Sequence, residues 1–163
     1  MNAQETLTAT QSMSMMVLKS YLSDLTDAEL LTRPGVGCNH IAWQLGHLIQ
    51  SEAQLLNAVC PGAAAELPAG FKEQHSKETA GENSASKFLT KAEYLELFDK
   101  VQASSMAALA KLSEADLDKP SPEQFQAYAP TVGNMFVLIA THPMMHVGQF
   151  VPVRRALGKP VLM

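Results

Sequence analysis

An all-α fold is what this sequence predicts, and three observations predict it. Four stretches carry apolar residues at three-to-four spacing. Residues suited to capping helix N-termini stand ahead of three of them. No stretch alternates apolar and polar residues between turn signals, as a half-buried strand would. The chain has 163 residues, 47% hydrophobic and 17% charged, enough for a single core and too apolar for disorder. One domain over 1–163 is therefore expected. Four helices of about 30 Å each form a four-helix bundle, with antiparallel neighbours as the simplest way to bury four apolar stripes.

The first helix is read over 5–24 from Leu7, Met15, Leu18, Leu22 and Leu25. Thr26-Asp27-Ala28-Glu29 is a capping box, but Pro34 follows so closely that only a short helical turn fits. Asn39 is a good N-cap for a second helix over 40–57, whose broad apolar face holds Ile41, Leu45, Leu48, Leu55 and Leu56. Thr90 and Glu93 form another capping box and open a third helix over 91–112. Thr131 caps the fourth, over 132–157, which Gly158 and Pro160 terminate. Pro143 and Pro152 fall inside it and should kink or loosen it. Residues 61–89, punctuated by Pro61-Gly62, Pro68-Ala69-Gly70 and Ala80-Gly81, form a long crossover between helices two and three, either a lid or a surface excursion.

Composition excludes several classes of function. The net charge is −4 and no basic run exceeds Arg154-Arg155, so no footprint exists for gripping nucleic acid. The N-terminus places Glu5 where a secretory signal needs positive charge, and the run from Met135 to Ala140 is far shorter than a bilayer span. A cytoplasmic protein without membrane contact is the expectation. Cys38 and Cys60 show neither metal-knuckle nor disulfide-scaffold spacing.

Histidine placement carries the chemistry. Of five histidines, His40 and His47 lie on helix two and His142 and His146 on helix four. His142 and His146 project from one face one turn apart, and they interrupt a stripe that should face the core. Buried imidazoles need a hydrogen-bond partner or a metal. His47 is the natural third ligand, because three neutral imidazoles with one open position suit a catalytic divalent ion. His40, just behind the cap, is placed near the mouth of the site rather than in the ligand set. His75, in the charged crossover, is expected to be solvated. Glu52 is offset from His47 and is not favoured as a ligand. Trp43 and Phe136 are read as core. Gln149 either orients a ligand from one turn beyond His146 or is a surface amide, and Gly148 would admit a close helix. Arg154 and Arg155 either complement the negative end of helix four or attract an anionic thiol.

The stretches Asn39-His40-Ile41-Ala42-Trp43-Gln44-Leu45-Gly46-His47-Leu48 and Thr141-His142-Pro143-Met144-Met145-His146-Val147-Gly148-Gln149, with the Arg154-Arg155 pair, resemble the DinB-like superfamily of damage-inducible helical proteins. The resemblance implies an up-up-down-down bundle and a divalent metal on three histidines, here His47, His142 and His146. Zinc or nickel comes foremost, then iron, cobalt or manganese. It also implies a homodimer and, by analogy with related transferases and isomerases, a low-molecular-weight thiol co-substrate such as bacillithiol, mycothiol or glutathione. Pro143 departs from the more usual non-proline residue, which bears on the chelate geometry. Two functions are thus expected to compete. One is a metal-dependent thiol S-transferase or hydrolase on a small electrophile, with the crossover and the His40 mouth selecting the substrate. The other is a non-enzymatic dimer in which a metal or histidine cluster staples two helices.

Overall fold

Asn2 accepts the Glu5 N–H and the Glu5 carboxylate accepts the Asn2 N–H, a closed capping box that starts α1, Ala3–Leu22. The computed structural model describes residues 1–162, and these fold into six α-helices. Four are long: α1, α2 (Ile41–Val59), α4 (Lys91–Leu109) and α6 (Val132–Ala156). Two single-turn helices that carry no periodic signal in the sequence, α3 (Phe71–Gln74) and α5 (Glu114–Leu117), lie in the connections. Extended pairing among the described residues is limited to one isolated bridge between Pro120 and Thr131.

The expected caps at Thr90 and Thr131 close, the latter with Asn134 as its reciprocal partner. Thr26 and Glu29 likewise bond each other's backbone and open a 3-10 turn, Glu29–Leu31. At α2 the cap shifts by one residue. His40, not Asn39, accepts the Trp43 N–H on its Nδ1 at 3.1 Å, while the Asn39 carbonyl takes the Gln44 amide at 2.7 Å. α6 runs unbroken through Pro143 and Pro152 to Ala156, with Leu157 as its C-cap and Gly158 just beyond it at a φ of 69°. It is long and apolar enough to cross a membrane by length and composition, yet its buried stripe packs on α1 and α2, as a core helix does.

Contacts at the helix ends fix direction. The Arg154 guanidinium, near the end of α6, donates to the Tyr21 carbonyl at the end of α1, so these helices run the same way. Lys91, at the start of α4, reaches the carbonyls of Leu22 and Leu25, and Gln4 reaches those of Leu109 and Leu112 at its far end, so α4 runs opposite to α1. Leu55 and Leu56, ending α2, join Leu7 and Leu109 in one apolar cluster, so α2 is also reversed. The order is up-down-down-up, which corrects the up-up-down-down order implied by resemblance. It also explains the crossover: α2 and α4 are parallel, and a chain leaving the end of one must return about 28 Å to begin the other.

That return path is anchored. Arg33 donates to Asn83 Oδ1 and to the carbonyls of Cys38, Ala80 and Glu82, and the Trp43 indole N–H donates to the Ser76 carbonyl. His75, expected in solvent, is buried. Its Nδ1–H donates to the Phe71 carbonyl at 2.8 Å and its Nε2 accepts from the Tyr94 hydroxyl at 2.7 Å.

Two apolar clusters fill the interior. One is built around Leu18, Leu22, Ile41, Leu45, Phe98 and Phe150, and the other around Leu7, Leu56, Leu109, Met135, Phe136 and Ile139. Between them lies a buried polar layer, in which Glu52 Oε1 accepts from Gln11 Nε2 at 2.8 Å and Ser105 Oγ at 2.7 Å. Burial pushes the Glu52 carboxyl up to about 7, against a smaller lowering by those two donors. Because the folded value lies above the unfolded one, the stability it confers is complete below about pH 4.5 and is lost as pH rises through 7. Glu52→Gln, which keeps the acceptor and removes the charge, should therefore gain up to roughly 3 kcal/mol over wild type at pH 8 and little at pH 4.5. Denaturant unfolding at both pH values checks it, and an equal difference at both would refute it.

Candidate metal centre

His47 sits two turns into α2, and His142 and His146 at the middle of α6, the neighbouring long helix, at the level where the two apolar clusters meet. One ring nitrogen from each of the three falls within 4.8 Å of the others, and all three residues are half-buried. The His47 ring centroid is 5.3 Å from each of the other two, which are 4.9 Å apart. Among the described residues, no fourth His, Cys, Asp or Glu joins this group.

Protonation follows from geometry. Gln44 Nε2 donates to the Asn39 carbonyl, which turns Oε1 toward His146, and His146 Nδ1–H donates to it at 2.8 Å. With the proton on Nδ1, His146 Nε2 carries a lone pair directed at the cluster. His142 Nε2 is 3.3 Å away and donates across the gap; moving that one proton to His142 Nδ1 would leave both Nε2 lone pairs free to hold a cation, with both rings neutral. His47 stacks face to face on Trp43, with centroids 5.3 Å apart and planes inclined by 5°. Burial lowers the pKa of all three, pushing His142 and His146 down to about 4 with added repulsion from charge on neighbouring rings. Three neutral imidazoles with converging nitrogens are a donor set that fits a divalent ion of intermediate softness.

A cavity of about 370 Å³ opens on one side of the cluster and exposes His47 and His142. Its outer wall is Phe125 and Tyr128, from the connection between α4 and α6, facing Leu55 on α2 and Leu138 on α6. The sequence expectation put substrate selection at the 61–89 crossover and a His40 mouth. The structure instead brings the 110–131 connection to the cavity. His40 is fully buried, with one nitrogen capping α2 and the other against the Glu82 carbonyl at 3.0 Å.

The remaining candidates separate in the same way. Gln149 and Gly148 are exposed, and among the described residues no neighbouring helix closes on Gly148. Arg154 is fully buried and its guanidinium is occupied by Asp24, the Tyr21 carbonyl and the Pro160 carbonyl, so it offers nothing to an anionic ligand; Arg155 is exposed. Trp43 and Phe136 are buried as expected, and Glu52 lies outside the ligand group. The amide that does orient a histidine is Gln44. Its signal was present in the sequence: a polar side chain three residues before His47 inside an apolar stripe. Phe125 and Tyr128 had no such signal, because their connection has no period.

The family model of the DinB superfamily matches residues 12–150, which include all three histidines and Gln44. The chain belongs to the DinB superfamily. A crystal structure described as that of the conserved protein of locus from Enterococcus faecalis shares the fold of this DinB chain with a TM-score of 0.76 at 18% identity, covering 98% of this chain and 99% of that one. No curated protein matches this DinB chain.

Removing the Gln44 amide tests its place behind the ligands. Gln44→Leu, which keeps volume but cannot accept the Nδ1 proton, should weaken divalent-ion affinity by about 10- to 100-fold, the usual cost of losing a hydrogen bond behind a ligating histidine. Competition against a chromophoric chelator measures it, and unchanged affinity would place the amide outside the site.

Proposed function

We propose that His47, His142 and His146 hold one divalent cation and that the chain is a metal-dependent enzyme acting on a small electrophile. The carrying observation is that three imidazole nitrogens converge with no fourth protein ligand beside them among the described residues, next to a cavity large enough for a small molecule. A divalent ion held there supplies Lewis acidity, lowering the pKa of a water or thiol and polarising an electrophile. The chain's own contribution is to hold that geometry: Gln44 fixes the His146 tautomer, Trp43 fixes the His47 plane, and the cavity walls shield the substrate from bulk water.

Between the two nucleophiles, the cavity favours water and hence a hydrolase. Among its lining residues, none carries a Lys or Arg that could bind the carboxylates of a low-molecular-weight thiol. A thiol S-transferase would have to draw on exposed Arg155 and Gln149, the former nine residues or about 13 Å along α6 from His146. The non-enzymatic alternative draws support from the way the three histidines bridge α2 and α6, as a structural ion would. We also read the four long helices as a four-helix bundle and the protein as cytoplasmic. We read it as a homodimer as well, for which exposed Met13 and Met16 on α1 and Val137 and Met144 on neighbouring α6 supply apolar surface.

Elemental analysis of untagged protein, purified without added metal, should find about one divalent ion per chain. Stripping it should lower the melting temperature by only a few degrees if the ion is catalytic, and by many if structural. Protein that neither carries nor takes up a divalent ion would end both metal readings.

A further inference from the structure

The cavity beside the histidines has a composition that narrows what can occupy it. Apart from His47 and His142 its polar groups are Ser51, Gln54 and the Tyr128 hydroxyl, and among the described residues no Asp, Glu, Lys or Arg lines it. A charged substituent on a ligand would therefore lose water without gaining an opposite charge, which is costly against an apolar wall. Leu55, Leu138 and Phe125 form that wall. Phe125 is buried, and it holds Tyr128 edge to face with ring centroids 6.1 Å apart. Tyr128 is 63% exposed and Met145 is 60% exposed at the same opening, so an aromatic ring and a thioether chain stand in water at the mouth. Both are surfaces that a flat apolar ligand would cover, and an aromatic ring gains a further increment over a Tyr face or edge.

We infer that the site takes a small electrophile bearing an uncharged aromatic group, with its reactive end at the histidine cluster and its ring against Tyr128, which selects for it. This rests on the reading of His47, His142 and His146 as ligands of a divalent ion. Tyr128 acts by contact with the substrate ring and plays no part in holding the metal.

Hydroxamates, which chelate divalent ions through one end and vary at the other, separate the two ideas. Metal content of the zinc-loaded protein is measured first, by elemental analysis. Benzohydroxamate and acetohydroxamate are then titrated calorimetrically, each affinity being divided by that for free zinc. The phenyl compound should bind about tenfold tighter on this scale. Tyr128→Ala, at an exposed position outside the core, should remove most of that preference while leaving acetohydroxamate affinity and zinc content unchanged. 4-Carboxybenzohydroxamate, whose added charge meets no cation in the lining, should bind no tighter than benzohydroxamate. Zinc-loaded protein that shows no phenyl preference, keeps the full preference in Tyr128→Ala, or gains tenfold from the carboxylate would overturn the inference and leave the metal reading standing. Failure to load zinc, seen before any hydroxamate is added, would overturn both.

Discussion

His146→Ala is expected to weaken divalent-ion binding by roughly a hundredfold or more, with the fold retained. Three considerations set that size. A four-ligand zinc site in a small peptide is worth about 10–16 kcal/mol, so one ligand's share is about 3 kcal/mol or a little over, which corresponds to a factor of at least a hundred. His146 also has a second role, because its Nδ1–H is what holds the Gln44 carbonyl oxygen in place, and its loss leaves that amide without its ring partner. Finally, the half-buried ring is replaced without exposing the core clusters on either side, so unfolding should remain cooperative. His40→Ala is the control. It removes the cap of α2, worth about 1 kcal/mol, and should lower the melting temperature while leaving metal stoichiometry at wild-type level. If His146→Ala bound metal as tightly as wild type while His40→Ala did not, the ion would belong to another cluster.

Gly46→Ala is expected to destabilise the protein by about 3 kcal/mol, lowering the melting temperature by about 6–12 °C at this chain length. Ordinarily Gly to Ala in a helix interior stabilises by roughly 1 kcal/mol, because alanine restricts the unfolded chain and favours the helix. Here the sign reverses. A Cβ at position 46 would fall on Cγ, Cδ2 and Nε2 of the His75 ring, which packs directly on the α2 backbone. That ring cannot step aside freely, since one nitrogen is bonded to the Phe71 carbonyl and the other to the Tyr94 hydroxyl, and Phe71 and Tyr94 are themselves buried. Displacing it would leave buried hydrogen-bonding groups unpaired, which adds to the overpacking. The double variant Gly46→Ala with His75→Ala should recover part of the loss, because the methyl then occupies space the ring has vacated. Equal stability of Gly46→Ala and wild type in denaturant unfolding would show that the crossover does not press on α2.

Much of this architecture is legible in the sequence, and the parts that are legible share a cause. The caps at Thr90 and Thr131 close as read, because a reciprocal cap depends on residues three apart in the chain. The convergence of His142 with His146 is equally local, since an i, i+4 pair must share a helix face. The addition of His47 needed only that both helices bury their apolar stripes against each other. The burial of His75 is illegible for the opposite reason. Its neighbours in sequence are charged, and nothing local says that Gly46, twenty-nine residues earlier, leaves a slot for its ring. The burial of Arg154 is illegible in the same way, because its partners Asp24 and Tyr21 lie at the other end of the chain.

The sequence by itself determined the helical class, the termini of the long helices to within a few residues, and the three histidines that share one site. Periodicity and capping are short-range effects, written in residues that touch within a turn. Only the tertiary structure decided that α2 and α4 run parallel, that the crossover is anchored rather than loose, that Gln44 rather than Gln149 orients a histidine, and that Phe125 and Tyr128 wall the cavity. Each of those depends on side chains far apart in the chain meeting in space. That meeting is set by how four apolar stripes pack together, which no single stretch of sequence contains.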